Sequence, residues 1–345
     1  MNKIFSSVFS KPTDKPWSDS GYFYHVPWYE KEHSLAYRAK INGISEEEFL
    51  EKWEKRVWRD FSESWQKRLA VGEFDEAADN GFAAYYLKGR TRDPLIGEIM
   101  DKIIREKIPF MDIASSGTMG LAPYLLHENP DIPCLIADID PYTMRALRRC
   151  LDAKLPEYSI EVASFDNLDM PVKDHSFEYI TSIGAIVYSY VEKTTSEDLE
   201  KFAEQCQYSL LREVYRILKP GGRFITVESN AEFRYDLDQV FRYFETHDKF
   251  LGLYTKDVVI SKLEQLEEHL KKHQSINEIM KNVGFQIETV KTYGKQLSER
   301  MVAQFFSPTG DFEIIGEHGP EDNELIKNIY NHTIYVLHKP NIMCI

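Results

Sequence analysis

The sequence predicts an α/β protein, a mostly parallel sheet covered by helices on both faces, preceded by an aromatic-rich segment of mostly helical character. Three observations carry this. From about residue 93 onward, short apolar runs alternate with helical stretches, and strands joined through helices form right-handed parallel crossovers. Composition shifts near residue 90. All five tryptophans lie before residue 66, and the first 90 residues are nearly charge-balanced, with 14 basic against 15 acidic side chains. Finally, a helical stretch ends in Lys219-Pro220-Gly221-Gly222 and runs straight into Arg223-Phe224-Ile225. There Pro stops the helix and glycine permits the positive φ of a turn into a strand. Two regions follow: residues 1–90 as a mostly helical N-terminal cap or lid, and residues 91–345 as the α/β core, with an insertion at about 231–275.

Taken in order, the cap opens on a Pro-rich aromatic stretch. Tyr22–Tyr29 (YFYHVPWY) has little periodicity and suits a lid, or else a packed N-terminal arm. Asn42-Gly43 marks a turn. Ser45 and Glu48 have capping-box spacing, so a helix starts there. Phe49, Trp53, Val57, Phe61 and Trp65 then recur every four residues, one helical face that reads as core packing. Asp93-Pro94 starts the first core helix, Pro being preorganised for the first helical position. Strands are expected at Pro109–Ile113, Cys134–Ala137, Ile160–Ala163, Phe177–Ile183 and Phe224–Val227, with helices at about 141–152 and 196–218. Residues 231–275 are charged and helical. Asn282-Val283-Gly284-Phe285 ends a helix and starts a strand, and His332–His338 is the last strand.

The chain has 345 residues and a net charge of −14. That balance disfavours nucleic acid and anionic membrane surfaces as partners. No run of about 18 apolar residues offers a membrane span, and the N-terminus has too short an apolar stretch for a secretion signal. Cys134, Cys150, Cys206 and Cys344 form no Cys-x-x-Cys pair, so neither a zinc site nor a disulfide framework is expected. The chain reads as cytoplasmic. Its sequence is silent on oligomeric state.

Ligands of such sheets sit at the carboxyl ends of the strands, and four features fall there. Asp112-Ile113-Ala114-Ser115-Ser116-Gly117-Thr118-Met119-Gly120 follows the first core strand. Its small residues let backbone approach a ligand, and the next helix offers free N–H groups. Asp138 ends the second strand, where a carboxylate can accept both hydroxyl protons of a ribose; Asp140 reads as the N-cap of the next helix, with Pro141 at its first position. Asp166, in Ser164-Phe165-Asp166-Asn167, is placed to accept from an exocyclic amine, or is an ordinary loop acid. The fourth is the stretch around Lys-Pro-Gly-Gly itself.

In these four features together the sequence resembles the class I S-adenosylmethionine-dependent methyltransferases. LREVYRILKPGGRFITVE is similar to the helix, turn and fifth strand of that family; FMDIASSG to its cofactor loop; LIADIDPYTM to its ribose-binding strand end; and SFDNLDMPVKDHSFEYITS to its adenine loop and fourth strand. The likeness covers residues 93–230 and extends through IMKNVGFQIETV and the last strand. It implies a Rossmann-like seven-stranded sheet, mostly parallel with the last strand antiparallel. It also implies S-adenosyl-L-methionine as cofactor, with S-adenosyl-L-homocysteine as product and no metal. By the resemblance, Asp112, Ala114, Ser115, Ser116 and Gly117 hold the methionine moiety, Asp138 and Ile139 take the ribose, Asp166 and Asn167 the adenine, and Ser182 lies beside the cofactor. Tyr86 and Arg92, with Tyr85 and Arg90, precede the first core helix, where related enzymes close over the cofactor. The family loop usually reads Asp-x-Gly-x-Gly-x-Gly. Here those positions are Ala114, Ser116 and Thr118, unless one inserted residue lets Gly117 and Gly120 serve. A dinucleotide is disfavoured because no Gly-x-Gly-x-x-Gly is present.

Many relatives place a histidine just past the fourth strand, and Ile183–Tyr190 (IGAIVYSY) has none. Tyr188 and His25 are the candidates for positioning or deprotonating an acceptor, with Tyr190 and His33 behind them; Glu228 and Asn230 end the fifth strand at the cleft mouth. The expected activity is methyl transfer to a small-molecule or peptide acceptor. O-methylation is preferred, with a carboxylate in view because it needs no base. The alternative is a cofactor-binding regulatory or partner protein without catalysis, suggested by the altered glycine loop.

Overall fold

A computed structural model describes residues 4–13, 21–69, 93–114, 122–186, 199–229, 237–249, 255–261, 264, 276–294 and 331–341. Strands β2 (Phe110–Ile113), β3 (Cys134–Asp138), β4 (Ile160–Ser164), β5 (Phe177–Ile183) and β6 (Leu218–Ser229) are parallel; β7 (Gln286–Gly294) and β8 (Asn331–His338) close the sheet antiparallel. The five expected core strands are present to within a few residues, and the final strand runs antiparallel as expected.

Among the described residues the sheet has eight strands, one more than the seven expected. The added one is β1 (Gly21–Phe23), which lies parallel to β4 at the edge, in the order β1-β4-β3-β2-β5-β6-β8-β7. It comes from the segment expected as a lid. Tyr22, Phe23 and Tyr24 are all buried; Tyr22 and Tyr24 pack with Phe5 and Phe9 on one face of the sheet and Phe23 on the other. Tyr22 Oη, Ile4 N and Phe5 N all donate to the Glu161 carboxylate on β4. Burial and the neighbouring Glu161 push the Tyr22 phenol well above its usual range. A three-residue strand carries too little alternation to be read as one, so its identity comes from the edge it fills.

After β1 come α1 (Pro27–Glu32), α2 (Leu35–Ile41) and α3 (Glu46–Leu69). Ser45 Oγ accepts from Glu48 N at 3.1 Å, the expected cap. The α3 stripe is core: Phe49, Val57 and Phe61 are buried and Trp53 is packed against the main cluster. It lies on α6 (Pro141–Lys154), where Trp53 Nε1 donates to Thr143 Oγ1 at 3.1 Å and the Lys154 ammonium sits 4.1 Å from the Trp58 ring. The Trp65 side chain falls outside the described residues.

In the core, Asp93 caps α4 (Pro94–Glu106), accepting from Leu95 N and Ile96 N as its sequence predicts. Helices α4, α5 (Ala122–Glu128) and α6 cover one face of the sheet with Phe110, Ile136, Val162 and Ile225 beneath them; α7 (Leu199–Ile217) and α9 (Ile276–Val283) cover the other over Met111, Leu135, Ile180 and Phe224. Successive strand residues therefore serve opposite faces, as a sheet buried on both sides requires. Of the insertion at 231–275, α8 (Leu237–Thr246) and residues 255–261 are among those described.

The Lys-Pro-Gly-Gly turn becomes a bulge rather than a loop. Alpha-helix α7 ends at Ile217 and β6 begins at Leu218, opposite Phe177; the next partners are Tyr179 and Arg223, so Lys219–Gly222 bulges out. Gly221 takes φ +78° and its N–H donates to Lys339 O, while Lys339 N returns a bond to Gly222 O. A Cβ on Gly222 would sit 2.8 Å from Glu178 O and 2.9 Å from Lys219 O, both backbone. Gly222→Ala is therefore expected to destabilise the fold by about 1–3 kcal/mol, read as a lower urea midpoint at unchanged slope.

Candidate cofactor site

Register brings the carboxyl ends of β2, β3 and β4 level: Asp112 pairs with Ile136, and Asp138 with Ser164. Asp112 is fully buried. One oxygen accepts from Ala122 N at 3.1 Å and the other from Thr181 Oγ1 at 3.0 Å. Its carboxylate thus ties β2 to the first residue of α5 and to β5, and so fixes both ends of the loop between them. Ala114 opens that loop at φ +53°, its N–H donating to Ala137 O. The left-handed conformation is one that glycine adopts most readily, so Ala114 holds a glycine-like turn at the start of the loop. A β-branched side chain there is more strained than alanine. Ala114→Val is expected to lose about 1–2 kcal/mol while Ala114→Gly does not, a contrast that parallel denaturant titrations resolve. Ser115, Ser116 and Gly117 lie outside the described residues, as do Tyr85, Tyr86, Arg90, Arg92, Tyr188, Tyr190 and Asn230.

Asp138 is buried, and its Oδ1 accepts from Asp140 N at 3.1 Å. The half-buried Ile139 follows, its carbonyl taking a bond from Ser164 Oγ. Asp140 caps α6 through Tyr142 N and Thr143 Oγ1, the N-cap expected from the sequence. Asp140 also pairs with Arg38 at 2.9 Å, both side chains nearly buried at 11% and 12% exposure. Arg38 lies close to three aromatic rings, Tyr29, Trp53 and Tyr142, at 5.4–5.8 Å. Burial opposes its charge, but Asp140 and the Tyr29 hydroxyl outweigh this and hold the guanidinium above its ordinary value.

Beyond β4, Asp166 Oδ1 accepts from Leu168 N at 2.9 Å and Oδ2 from the Trp28 indole at 3.1 Å. The neighbouring Asn167 Oδ1 is shut off from solvent and has no hydrogen-bond partner. A buried acceptor without a donor is costly, and a ligand N–H or O–H would satisfy it. This orphaned oxygen, the acids ending β3 and β4, and the left-handed turn after β2 fit an adenosine-bearing cofactor without phosphate.

On the α7 face, Ser182 Oγ is 2.6 Å from Thr226 Oγ1, and Thr226 donates onward to the fully buried Glu228, which also accepts from Ile186 N at 3.3 Å. Since the Thr226 proton goes to Glu228, Ser182 donates to Thr226. Glu228 and the bond from Gly184 N to Val227 O clamp the turn that follows β5. His25 stands half-exposed before α1, its Nδ1 2.9 Å from Glu30 Oε1. His33 ends α1, stacked on Tyr29 with ring centroids 4.5 Å apart. The sequence reading missed Trp28, Arg38, Thr181 and Thr226. For Thr226 the signal was available, since Phe224, Thr226 and Glu228 alternate onto one face; for Trp28 and Arg38 there was none, because their partners lie more than 100 residues away.

Among the described residues no group of three His, Cys, Asp or Glu is placed to hold a metal ion, and no helix is long and apolar enough to cross a membrane.

A family model described as a methyltransferase domain matches residues 112–226, from the first site acid to Thr226. A search of curated proteins matched none. Solved structures with a similar course include a SAM-dependent methyltransferase from Methanosarcina mazei, at 13% identity over 70% of this chain and 97% of that one with a TM-score of 0.39. Another is a SAM-dependent methyltransferase from Aquifex aeolicus, at 13% identity over 74% and 97% with a TM-score of 0.35. A third is the (4+2)-cyclase SpnF, at 14% identity over 71% and 81% with a TM-score of 0.37. The domain match runs from Asp112 in β2 to Thr226 in β6 and takes in Asp138, Asp166, Asn167 and Ser182. Residues 112–226 therefore match a methyltransferase domain, whose cofactor is S-adenosylmethionine.

Proposed function

We propose that this enzyme methylates an oxygen of a small-molecule or peptide acceptor, a carboxylate being the favoured group, and releases S-adenosylhomocysteine. The cofactor supplies a methyl group already activated on a sulfonium. The chain's part is then to hold the reacting atoms in line and to exclude water. Asp138 accepts the ribose hydroxyl protons, Asp166 and Asn167 accept from the adenine amine, Ser182 lines the cofactor, and the loop opened by Ala114 carries the methionine end, with Ser115, Ser116 and Gly117 in it and Tyr86 and Arg92 closing over it. Tyr188 orients the acceptor, with His25 as the second candidate.

The observation that carries the oxygen assignment is the segment after β5. It holds no histidine from Ile183 to Tyr190, and the nearby Glu228 carboxylate is engaged by Thr226 and by the Ile186 N–H. An amine or phenol must lose a proton, which calls for a base; a carboxylate is ionised at neutral pH and needs none. The test is release of S-adenosylhomocysteine across aliphatic and aromatic carboxylic acids, peptides with free or amidated C-termini, phenols and amines, each followed from pH 6 to 9. Turnover of a carboxylate at a rate flat across that range supports the reading. Turnover confined to phenols, rising with pH, overturns the carboxylate, and turnover confined to amines overturns the oxygen itself.

A further inference from the structure

We propose that Trp28 is a positioning residue of the adenine site, holding Asp166 so that the site prefers an amino purine to an oxo purine. The inference rests on the reading above that Asp166 faces the adenine amine. Trp28 follows Pro27 at the start of α1, far from the methyltransferase motifs in sequence, yet its indole N–H reaches Asp166 Oδ2 at 3.1 Å. The indole is a donor and never an acceptor. It therefore sets the orientation of a carboxylate whose other oxygen is already held by the Leu168 N–H at 2.9 Å. With both oxygens addressed from fixed directions the Asp166 side chain has one rotamer to adopt, and the plane of its carboxylate is set before any ligand arrives. A carboxylate offers about four acceptor positions. An ionised carboxylate only accepts, so it suits an exocyclic amine, which donates, and repels a purine carbonyl. Asn167, the next residue, adds a buried acceptor without a donor.

Trp28 itself is anchored. Its ring meets Tyr29 edge-on at 5.7 Å, and the Tyr29 hydroxyl takes a bond from Arg38, which is locked to Asp140 at the ribose side. The N-terminal segment thus reaches the adenosine end of the cleft twice, at Asp140 and at Asp166. Selectivity for the base is set in part by residues that precede the domain.

The experiment is calorimetric titration of the full chain with S-adenosylhomocysteine and with S-inosylhomocysteine, in which the amine is replaced by a carbonyl. The proteins are wild type, Trp28→Phe and Asp166→Asn. Wild type is expected to prefer the adenosyl ligand by tenfold or more, since sites built to hydrogen-bond reject analogues that leave polar groups unpaired. Trp28→Phe keeps the ring and removes the donor, and is expected to cut that preference three- to tenfold while the overall fold persists. A merely structural role would weaken both ligands alike and leave the ratio unchanged, which overturns the proposal. If wild type shows no preference, or Asp166→Asn retains the full preference, the reading of Asp166 fails and the inference with it. Should Trp28→Phe not fold, the wild-type indole 15N–1H spectrum decides. The resonance displaced by Asp166→Asn in the free protein must shift on binding S-adenosylhomocysteine and shift less with the inosyl ligand; an equal response to both overturns the assignment.

Discussion

Asp138→Ala is expected to weaken S-adenosylhomocysteine binding by roughly two to four orders of magnitude. The carboxylate sits at the end of β3, buried, with one oxygen already taking the Asp140 N–H. Two ribose hydroxyls bonded to a charged acceptor contribute about 1.5–3 kcal/mol each, and each 1.4 kcal/mol is about a factor of ten in affinity. Asp138→Asn keeps an acceptor oxygen for the Asp140 N–H but loses the charge and one acceptor, so about a tenfold loss is expected there. The two substitutions separate binding from folding, because alanine also forfeits the backbone bond to Asp140, about 1 kcal/mol of stability, and asparagine does not. Calorimetry at matched fractions folded reads both. Undiminished binding by Asp138→Ala would remove the ribose from this strand end and, with it, the placing of adenosine across β3 and β4.

How much of this was legible in the sequence depended on how local the determinants are. Asp93-Pro94, Ser45 with Glu48, and Asp140-Pro141 each announced a helix start, because a cap and its N–H partners lie within four residues; all three caps form. The positions of Asp112 and Asp138 were legible for a related reason: each carboxylate closes an apolar run, and both stand at the carboxyl ends of their strands. The Ala114 turn was half legible. Its conformation is demanded by the path from β2 into the loop, but only a glycine would have advertised it, and alanine conceals it. The edge strand β1 was not legible. Three residues fix no period, and Tyr22–Phe23 owe their strand geometry to the open edge of β4. Nor were Trp28 and Arg38, whose partners Asp166 and Asp140 stand 138 and 102 residues away. The stretch read as a lid or a packed N-terminal arm is packed, with Tyr22–Phe23 in the sheet and Trp28 bonded to Asp166, and long-range pairing was the part of the physics no local pattern encodes.

Arg38→Ala is expected to cost about 3–5 kcal/mol of stability, the largest effect of any single substitution considered. The reason is what it leaves behind. Asp140 is buried, and its carboxylate would keep the bonds from Tyr142 N and Thr143 Oγ1 but lose its countercharge. Removing one partner of a buried pair strands the other charge, and that costs more than the pair itself contributes. Arg38→Ala also takes away the guanidinium lying against Tyr29, Trp53 and Tyr142 and its bonds to the Tyr29 hydroxyl and the His33 carbonyl, so α1 and α2 lose their hold on α6. Lysine cannot replace that geometry, having no planar fork to meet a carboxylate, a phenol and a carbonyl at once; Arg38→Lys should recover less than half of the loss. Asp140→Asn in the Arg38→Ala background removes the stranded charge and should restore one or more kcal/mol, whereas Asp140→Asn alone destabilises, and the sign of that coupling separates a stranded charge from lost packing. The same cycle reaches function. Asp140 N is bonded to Asp138, so disturbing the Arg38 anchor displaces the ribose acid as well. Affinity for S-adenosylhomocysteine should fall along with stability in Arg38→Ala and recover in part with Asp140→Asn. A loss below about 1 kcal/mol, within the range of an exposed pair, would show that the apolar stripe of α3 alone holds the N-terminal segment in place, and that the ribose acid is set without its help.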